Sequence, residues 1–383
     1  MKFNLRSQQI NYFKRDLLLK LVCACWIITK LLCYKLWLAD RFFPLAPVYD
    51  GLLYVSSYVH TSLFWLSIVC MAAFWIFPGK KIAVILFLSE IISCMLDQNR
   101  WQPWEYQFIC MLGAYIFIPV AGPGGQDEKM RRQCWQIIIV GIYFFSGINK
   151  FNSYFIHNVW GNIFLKHAVG IYNPGPWLLR MGYALPMIEA CGAIALCFGR
   201  TRKMAVLCLV LMNLLMLIVG FSGNEIGMII MPWNILMAFL LFGLFFKAEL
   251  QSFRPALKPI YSPVMLLAWW ILPWLQFAGL WDKYLSGVLY SGDIENLYIC
   301  TDDLYASSRL SGDFVQGNKN MSCNVVLSVY QWGMKEMNAA PYPAVRVYKA
   351  IAENWKHSFP KATNKFFLFR TGFMNSVRSL PGE

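Results

Sequence analysis

Charged residues are scarce in this chain of 383 residues. Aspartate, glutamate, lysine and arginine together make up only 14% of it, whereas 58% is hydrophobic. A typical soluble domain has about a quarter of its residues charged. The composition therefore excludes an ordinary soluble globular domain and favours a membrane protein that crosses the bilayer several times, with a more polar tail.

The chain also lacks internal repeats, low-complexity tracts and Cys-x-x-Cys motifs. The first two absences exclude a solenoid and a long disordered linker. The third excludes the common zinc-ribbon and thioredoxin-like patterns. Ten of the twelve cysteines lie in or beside apolar segments. A cysteine in such surroundings behaves as a small hydrophobic residue, so we expect no redox chemistry from them.

Nine apolar segments approach the ~20 residues that a helix needs to cross a bilayer. They cover about residues 17–38, 54–77, 82–97, 106–121, 135–157, 183–199, 204–222, 225–246 and 263–281. We therefore predict an all-α polytopic membrane bundle of about nine transmembrane helices in residues 1–281. A small extramembrane α+β domain is predicted for residues 282–383.

Lysine and arginine are distributed unevenly between the loops. If the N-terminus is cytoplasmic, sixteen of them fall on the inner side and four on the loops of the outer side. Cytoplasmic loops are enriched in these residues, so this orientation is predicted, with the tail outside. The net charge of +14 is then mainly a topology signal, and no nucleic-acid partner is expected. We also expect no cleavable signal peptide, since the first apolar run is too long for one.

The tail has its own pattern. Residues 297–300, 325–330 and 365–370 have the composition of strands. Apolar residues from Val345 to Trp355 recur at helical spacing after two prolines, which predicts a helix. Cys300 and Cys323 are the tail's two cysteines. We predict that they form a disulfide, because the tail is expected on the oxidising side of the membrane.

Residues 135–160 are the most informative stretch, because an apolar first half leads into a polar second half that carries Lys150. Placing an ionisable group in hydrocarbon costs about 2.5–3.5 kcal/mol on insertion scales, so such a group is a functional candidate. The alternative is a lysine that snorkels to the nearby interface. Helix rise puts Lys150 about 10 Å below the outer end of its segment.

Six polar residues from six segments fall at a similar depth in the outer leaflet. They are Lys30, Glu90, Lys150, Glu189, Asn213 and Asn234. Polar groups in hydrocarbon need partners or water, so a shared cavity that opens outward is the interpretation we favour. The alternative is a set of separate interhelical hydrogen bonds, each worth about 0.6 kcal/mol. We expect Lys150 to lie within reach of Glu189 or Glu90.

The loop after the third segment carries amide, charged and aromatic side chains that are able to orient a polar head group. The candidate ligand-binding residues there are Asp97, Gln98, Arg100, Trp101 and Tyr106, and Glu90, Asn149, Asn213 and Asn234 complete the set. The tryptophans also fit an ordinary interfacial belt. His157 is a candidate for proton handling, although a surface histidine is the simpler interpretation. The spacing of His157 and His167, without carboxylates or cysteines nearby, predicts no metal site.

Four stretches carry a family resemblance. Residues 140–151 (VGIYFFSGINKF) resemble the vitamin K-dependent gamma-carboxylase family. Residues 97–108, 281–293 and 341–355 are similar to its bacterial relatives, the horizontally transferred transmembrane domain (HTTM) and DoxX-like proteins. The resemblance implies a bacterial cytoplasmic membrane protein in which Lys150 is the base that deprotonates a quinol, with Asn149 replacing the first lysine of the family's pair. The tail is too short to match the carboxylase's large lumenal domain.

Two classes of function follow. The first is an enzyme whose candidate catalytic residues Lys150, His157 and Glu189 act on a lipid-soluble, quinol-like substrate or cofactor. The second is a non-catalytic binding or assembly protein in which Lys150 forms a structural ion pair. A transporter is a weaker third hypothesis, because no inverted repeat or paired interrupted helices stand out. The lipid bilayer and a lipid-soluble small molecule are the expected partners.

Overall fold

The structure is a computed structural model. It describes residues 16–118, 126–221, 227–246, 261–288, 291–292, 294–302, 325–370 and 376–381. Within these ranges the chain is mostly helical and ends in a small antiparallel sheet. The mainly helical part and the α+β tail are therefore confirmed.

Eleven α-helices lie in the described part of residues 17–266. They are α1 Leu17–Leu32, α2 Tyr34–Trp37, α3 Ser57–Ile76, α4 Lys80–Leu96, α5 Pro103–Phe117, α6 Gln126–Asn149, α7 Pro176–Met181, α8 Ala184–Leu196, α9 Arg202–Phe221, α10 Gly227–Leu241 and α11 Tyr261–Leu266. Short 3₁₀-helices cover Asp50–Tyr54, Gln98–Arg100, Leu272–Ala278 and Tyr284–Ser286, and π-helices cover Phe155–Ala168, Phe242–Phe246 and Leu267–Ile271.

Each of the nine predicted segments contains a helix, but length and apolarity separate them. Three helical stretches of the described chain are long and apolar enough to cross a membrane: Ser57–Ile76, Pro176–Leu196 and Ile229–Phe246. Pro176 occupies the first turn of α7, where a missing N–H costs nothing. These three stretches indicate a membrane protein.

The fifth predicted segment, residues 135–157, differs most from expectation. Helix α6 begins earlier, at Gln126, and ends at Asn149. The chain then turns, and the Asn152 side chain accepts a 2.9 Å hydrogen bond from the Phe155 N–H at the start of the next helix. Asparagine favours such local bonds over helix continuation. Lys150 therefore lies at a helix end and not two turns inside a continuous helix.

The tail forms a four-stranded sheet in the order β2-β1-β3-β4, with β1 Glu295–Thr301, β2 Val325–Ser328, β3 Asn364–Arg370 and β4 Ser376–Ser379. Neighbouring strands are antiparallel, and Tyr298 of β1 lies opposite both Ser328 and Phe367. Strand β2 is wholly buried, whereas edge strand β4 is wholly exposed. The sheet thus has a covered edge and an open one.

Two helices complete the tail: α12 Val329–Met337 and α13 Val345–Ser358. The helix expected from the spacing of Val345 to Trp355 is α13, and its buried residues include Tyr348, Ile351 and Trp355. The strand expected over residues 325–330 ends at Ser328, because the Ser328 hydroxyl accepts the Gln331 N–H and starts α12. A serine at a helix start satisfies an otherwise unpaired N–H, which is why the strand stops there.

The tail packs on one end of the helical part. The Asn99 side chain accepts the Tyr342 N–H at 3.0 Å, and Gln102 donates to the Ala340 carbonyl at 2.9 Å. The Glu336 carboxylate accepts the Phe43 N–H at 2.9 Å. Loops that follow the first and third predicted segments thus meet the tail at the same end. The predicted disulfide joins Cys300 to Cys323. Cys300 is disulfide-bonded, whereas Cys323 lies outside the described residues.

Candidate functional site

Lys150 and Glu189 form a direct ion pair. The Lys150 Nζ lies 2.9 Å from Glu189 Oε1 and 2.6 Å from Oε2. Their side chains are 13% and 5% exposed. The expected contact between Lys150 and Glu189 or Glu90 is therefore made with Glu189. Both carboxylate oxygens therefore accept hydrogen bonds from the ammonium, as in a charge-assisted pair.

The pair depends on the close approach of α6 and α8. Gly147, one turn before Lys150, faces the backbone of α8, and a Cβ atom there would lie 2.6 Å from Ala190 N and 2.8 Å from Pro186 O. Only glycine permits such a distance. The contact sets Glu189 beside the end of α6.

Polar groups on α6, α9 and α10 make hydrogen bonds within the protein. The Tyr143 hydroxyl accepts a 2.7 Å hydrogen bond from the Asn213 side chain. Asn149 donates to the Ser286 carbonyl at 3.3 Å, which ties α6 to the segment that leads into the tail. Asn234 bonds to its own helix, at the Ile230 carbonyl. These three asparagines therefore make interhelical and local hydrogen bonds, as in the alternative interpretation of the polar layer.

A second ion pair, between Lys30 and Glu90, is completely enclosed. The Nζ–Oε2 distance is 2.7 Å, and both side chains are 0% exposed. The Lys30 ammonium also donates to the Ser67 hydroxyl at 3.2 Å and lies 3.3 Å from the centre of the Trp37 ring. Glu90 therefore forms its ion pair with Lys30 and not with Lys150. The two acids and two bases of the predicted layer separate into two pairs.

Arg100 was expected to offer donors to a ligand head group, but its donors are used inside the protein. Its N–H groups bind the carbonyls of Leu36, Trp37 and Ser93, with the Ser93 hydroxyl and His60 Nδ1 as further partners. The side chain is fully buried. A guanidinium has five N–H groups, and these contacts leave none directed at a ligand. Arg100 instead holds α2 to the loop after α4.

Asp97 and Gln98 also make their polar contacts within the protein. The Asp97 carboxylate pairs with Arg41 and accepts the N–H groups of Ala46 and Asn99. Gln98 donates to the Pro47 carbonyl at 2.9 Å and accepts from Arg346 Nε at 2.6 Å. The residues expected to orient a ligand are therefore the ones that fasten the loops and tail together.

The remaining predicted residues are dispersed. Tyr106 stacks on Trp269 with 4.6 Å between ring centres, and Trp101 contacts Tyr106 edge to face. His157 is exposed and bonds to Ser153, four residues earlier in the chain. These contacts are not with Lys150 or Glu189. Trp101 and Tyr106 thus pack within the protein, and His157 has the features of a surface histidine.

Sequence reasoning did not single out Glu105 or His60. Glu105 is fully buried and accepts a 2.6 Å hydrogen bond from Trp26 Nε1. His60 lies against Arg100, and its Nε2 atom is buried without a hydrogen-bond partner among the described residues. The signal for Glu105 was present, since it is an acidic residue at the start of an apolar segment.

Asp282, the first residue of the predicted tail, affects the pKa of two groups further along it. Arg346 binds the Asp282 carboxylate through both Nη atoms, and Tyr342 donates to the same carboxylate at 2.8 Å. Hydrogen bonding to Asp282 raises the pKa of Arg346. Burial and the neighbouring Asp282 carboxylate raise the pKa of the Tyr342 hydroxyl, so it remains a donor.

No group of three or more His, Cys, Asp or Glu side chains in the described ranges is arranged to hold a metal ion. Comparison of the chain with protein-family models, curated proteins and solved structures gives no match. The resemblance to the carboxylase family and its bacterial relatives therefore stays a prediction.

Proposed function

We propose that this chain is a multi-pass protein of a bacterial cytoplasmic membrane, with nine spans, the N-terminus inside and the tail outside. Exposed apolar side chains support a lipid environment, among them Trp65, Val69, Leu211 and Phe239, each at least half exposed. Apolar surface on this scale in a folded protein marks contact with a membrane or a partner.

The relative position of loops and tail supports the same topology. The tail contacts Phe43, Asn99 and Gln102, which belong to loops on the predicted outer side. Reporter fusions after Lys203 and after Gly292 should report opposite compartments. The same compartment for both fusions would contradict the nine-span topology.

We further propose that the Lys150–Glu189 pair binds a lipid-soluble ligand with a hydroxyl or carbonyl head, of which a quinol is the expected example. One observation carries this proposal. The Lys150 ammonium has three N–H groups, two bonds go to Glu189, and no further partner lies among the described residues. The side chain is 13% exposed. An unused donor on a partly exposed cation is able to bind an oxygen of the ligand.

Binding suits this geometry better than deprotonation by Lys150. A lysine base has to present a free lone pair to the substrate hydroxyl, whereas the Lys150 nitrogen donates to both oxygens of Glu189. Catalysis would require Glu189 to move away first. The proposal therefore keeps the binding of a quinol-like ligand through Lys150 without its deprotonation, and the ion pair presents its remaining donor to the ligand head.

The test is quinol binding by purified protein in lipid nanodiscs, measured by calorimetry with duroquinol as the probe. A hydrogen bond to a charged group is worth about 1.5–3 kcal/mol, so Lys150→Met should weaken binding by roughly 10- to 100-fold. The matched control is Lys166→Met, a partly buried lysine outside the pair, which should bind as the unaltered protein does. Equal affinity of all three proteins would rule out Lys150 as the binding residue.

The same proteins separate binding from catalysis. If the pair only binds, the quinol should be recovered unchanged after incubation with the unaltered protein. Consumption of the quinol that requires Lys150 would establish the enzyme hypothesis instead.

A further inference from the structure

Glu90 and Glu105 form a second group of buried acids that the Lys150 site does not use. Glu90 lies on α4 and Glu105 on α5, and both are 0% exposed. One oxygen of each carboxyl group has a strong partner: Glu90 Oε2 binds Lys30 at 2.7 Å, and Glu105 Oε2 accepts the Trp26 N–H at 2.6 Å. Both acids are thus bound by side chains of α1.

The other oxygen of each carboxyl group has no donor. Glu90 Oε1 and Glu105 Oε1 are both buried, and neither accepts a hydrogen bond from the described residues. Trp26 and Lys30 lie one turn apart on α1, so the two carboxyl groups that they bind are neighbours, with the Glu105 side chain beside that of Glu90. Two ionised carboxylates in such contact repel each other, and burial increases that cost. A buried acceptor left without a donor is unfavourable in itself.

No group in the described part of the chain supplies the missing donor. The charged and titratable groups that surround the two acids are Lys30, Arg100, Cys33, Cys70 and Cys94. The Lys30 ammonium is bound to Glu90 Oε2 and Ser67. The Arg100 donors go to carbonyls, Ser93 and His60. Cys33 donates to the Thr29 carbonyl.

We propose that Glu90 and Glu105 are a proton-binding site that holds one proton between their two Oε1 atoms at neutral pH. The proton provides the absent donor and leaves one negative charge on the pair, which Lys30 balances. An O–H···O⁻ bond of this type is short and strong.

The test is infrared spectroscopy of the full-length protein in lipid at neutral pH, in H₂O and in D₂O. The unaltered protein should show the carbonyl stretch of a protonated carboxylic acid, with a shift in D₂O and a further shift after ¹³C-glutamate labelling. Glu105→Gln should abolish this band. The control Glu189→Gln should retain it, because Glu189 belongs to the other ion pair.

Glu105→Gln is chosen because its amide mimics the protonated acid. The amide oxygen accepts the Trp26 N–H, and the NH₂ group donates to Glu90 Oε1, so the variant should melt at the temperature of the unaltered protein. Absence of the protonated-acid band from the unaltered protein would overturn the proposal without any variant. Survival of the band in folded Glu105→Gln would also overturn it.

A metal cation is the competing occupant for two facing carboxylates. Melting curves in sodium chloride and in choline chloride distinguish the two. The proposal expects equal melting temperatures in the two salts. Stabilisation by sodium that disappears in Glu105→Gln would identify a cation site and reject the proton.

Discussion

The lysine–glutamate pairs Lys30–Glu90 and Lys150–Glu189 differ in how far they are buried more than in contact distance. Lys30–Glu90 and Lys150–Glu189 have shortest Nζ–O distances of 2.7 and 2.6 Å. The first pair is 0% exposed on both sides, and its ammonium has a hydroxyl and an aromatic ring as further partners. The second is partly exposed and retains a donor. The enclosed pair suits a structural role, and the open pair suits binding.

The loss in free energy of unfolding when a pair is broken should therefore be larger for a less exposed pair. Removing one partner of a buried pair strands a charge in a low dielectric and costs about 3–5 kcal/mol. Exposed pairs contribute about 0–1 kcal/mol. A third pair, Arg346–Asp282, is 53% and 24% exposed and extends the series to the surface.

The largest effect is expected for Lys30→Met. The substitution leaves Glu90 without its cation in a fully buried position, so the free energy of unfolding should fall by about 3–5 kcal/mol. Equilibrium unfolding in mixed micelles measures this change. A loss no greater than that of Lys150→Met would break the distinction between the two pairs.

Gly147→Ala tests the helix contact that forms the open pair. The new Cβ would lie 2.6 Å from the Ala190 backbone nitrogen, so α8 would have to shift, and overpacking of this kind costs about 1–3 kcal/mol. Quinol affinity should fall with stability. Gly79→Ala is the matched control, because its nearest contact is 3.8 Å away. If Gly147→Ala behaves like this control, the close contact does not position Glu189.

Lys150→Met should have a smaller effect on stability than Lys30→Met. Glu189 is 5% exposed and lies beside a partly open position, so an unfolding cost of about 1–2 kcal/mol is expected, between the buried and exposed cases. The same unfolding titration measures it. A loss as large as that of Lys30→Met would mean that the pair is structural and would weaken the binding proposal.

The smallest effect is expected for Arg346→Gln. Arg346 is 53% exposed, and the lost pair with Asp282 should lower the free energy of unfolding by about 0–1 kcal/mol. Since Asp282 also holds Tyr342, docking of the tail should persist. Limited proteolysis of the tail provides the readout, and rapid cleavage in the variant would show that this contact is essential for docking.

Much of the helical architecture was predictable from local sequence. The apolar segments locate the helices, since burial in lipid or protein demands long apolar runs. The end of α6 at Asn149 was not predicted, because it depends on a side-chain bond from Asn152 to the next turn. The segment after Ser328 was expected to remain a strand, because its local composition does not reveal that a serine starts a helix there.

The site was predictable to a lesser degree. Helix rise gave the depth of Lys150, Glu189, Lys30 and Glu90, so their pairing with opposite charges was expected. Depth alone leaves open which helices are neighbours around the bundle. For Arg100, the sequence identifies donors but not whether carbonyls of the same chain will use them. Only the packed structure shows that Leu36, Trp37 and Ser93 do so.

The sequence by itself determined that this is a largely apolar helical chain with a polar tail and ionisable residues placed within its apolar segments. These properties follow from composition, periodicity and helix rise, which act locally. The tertiary structure decided that Lys30 is enclosed with Glu90 while Lys150 keeps a partly exposed donor beside Glu189. Partner choice and exposure depend on which helix surfaces approach closely, as α6 and α8 do at Gly147, and such contacts join residues that are distant in the chain.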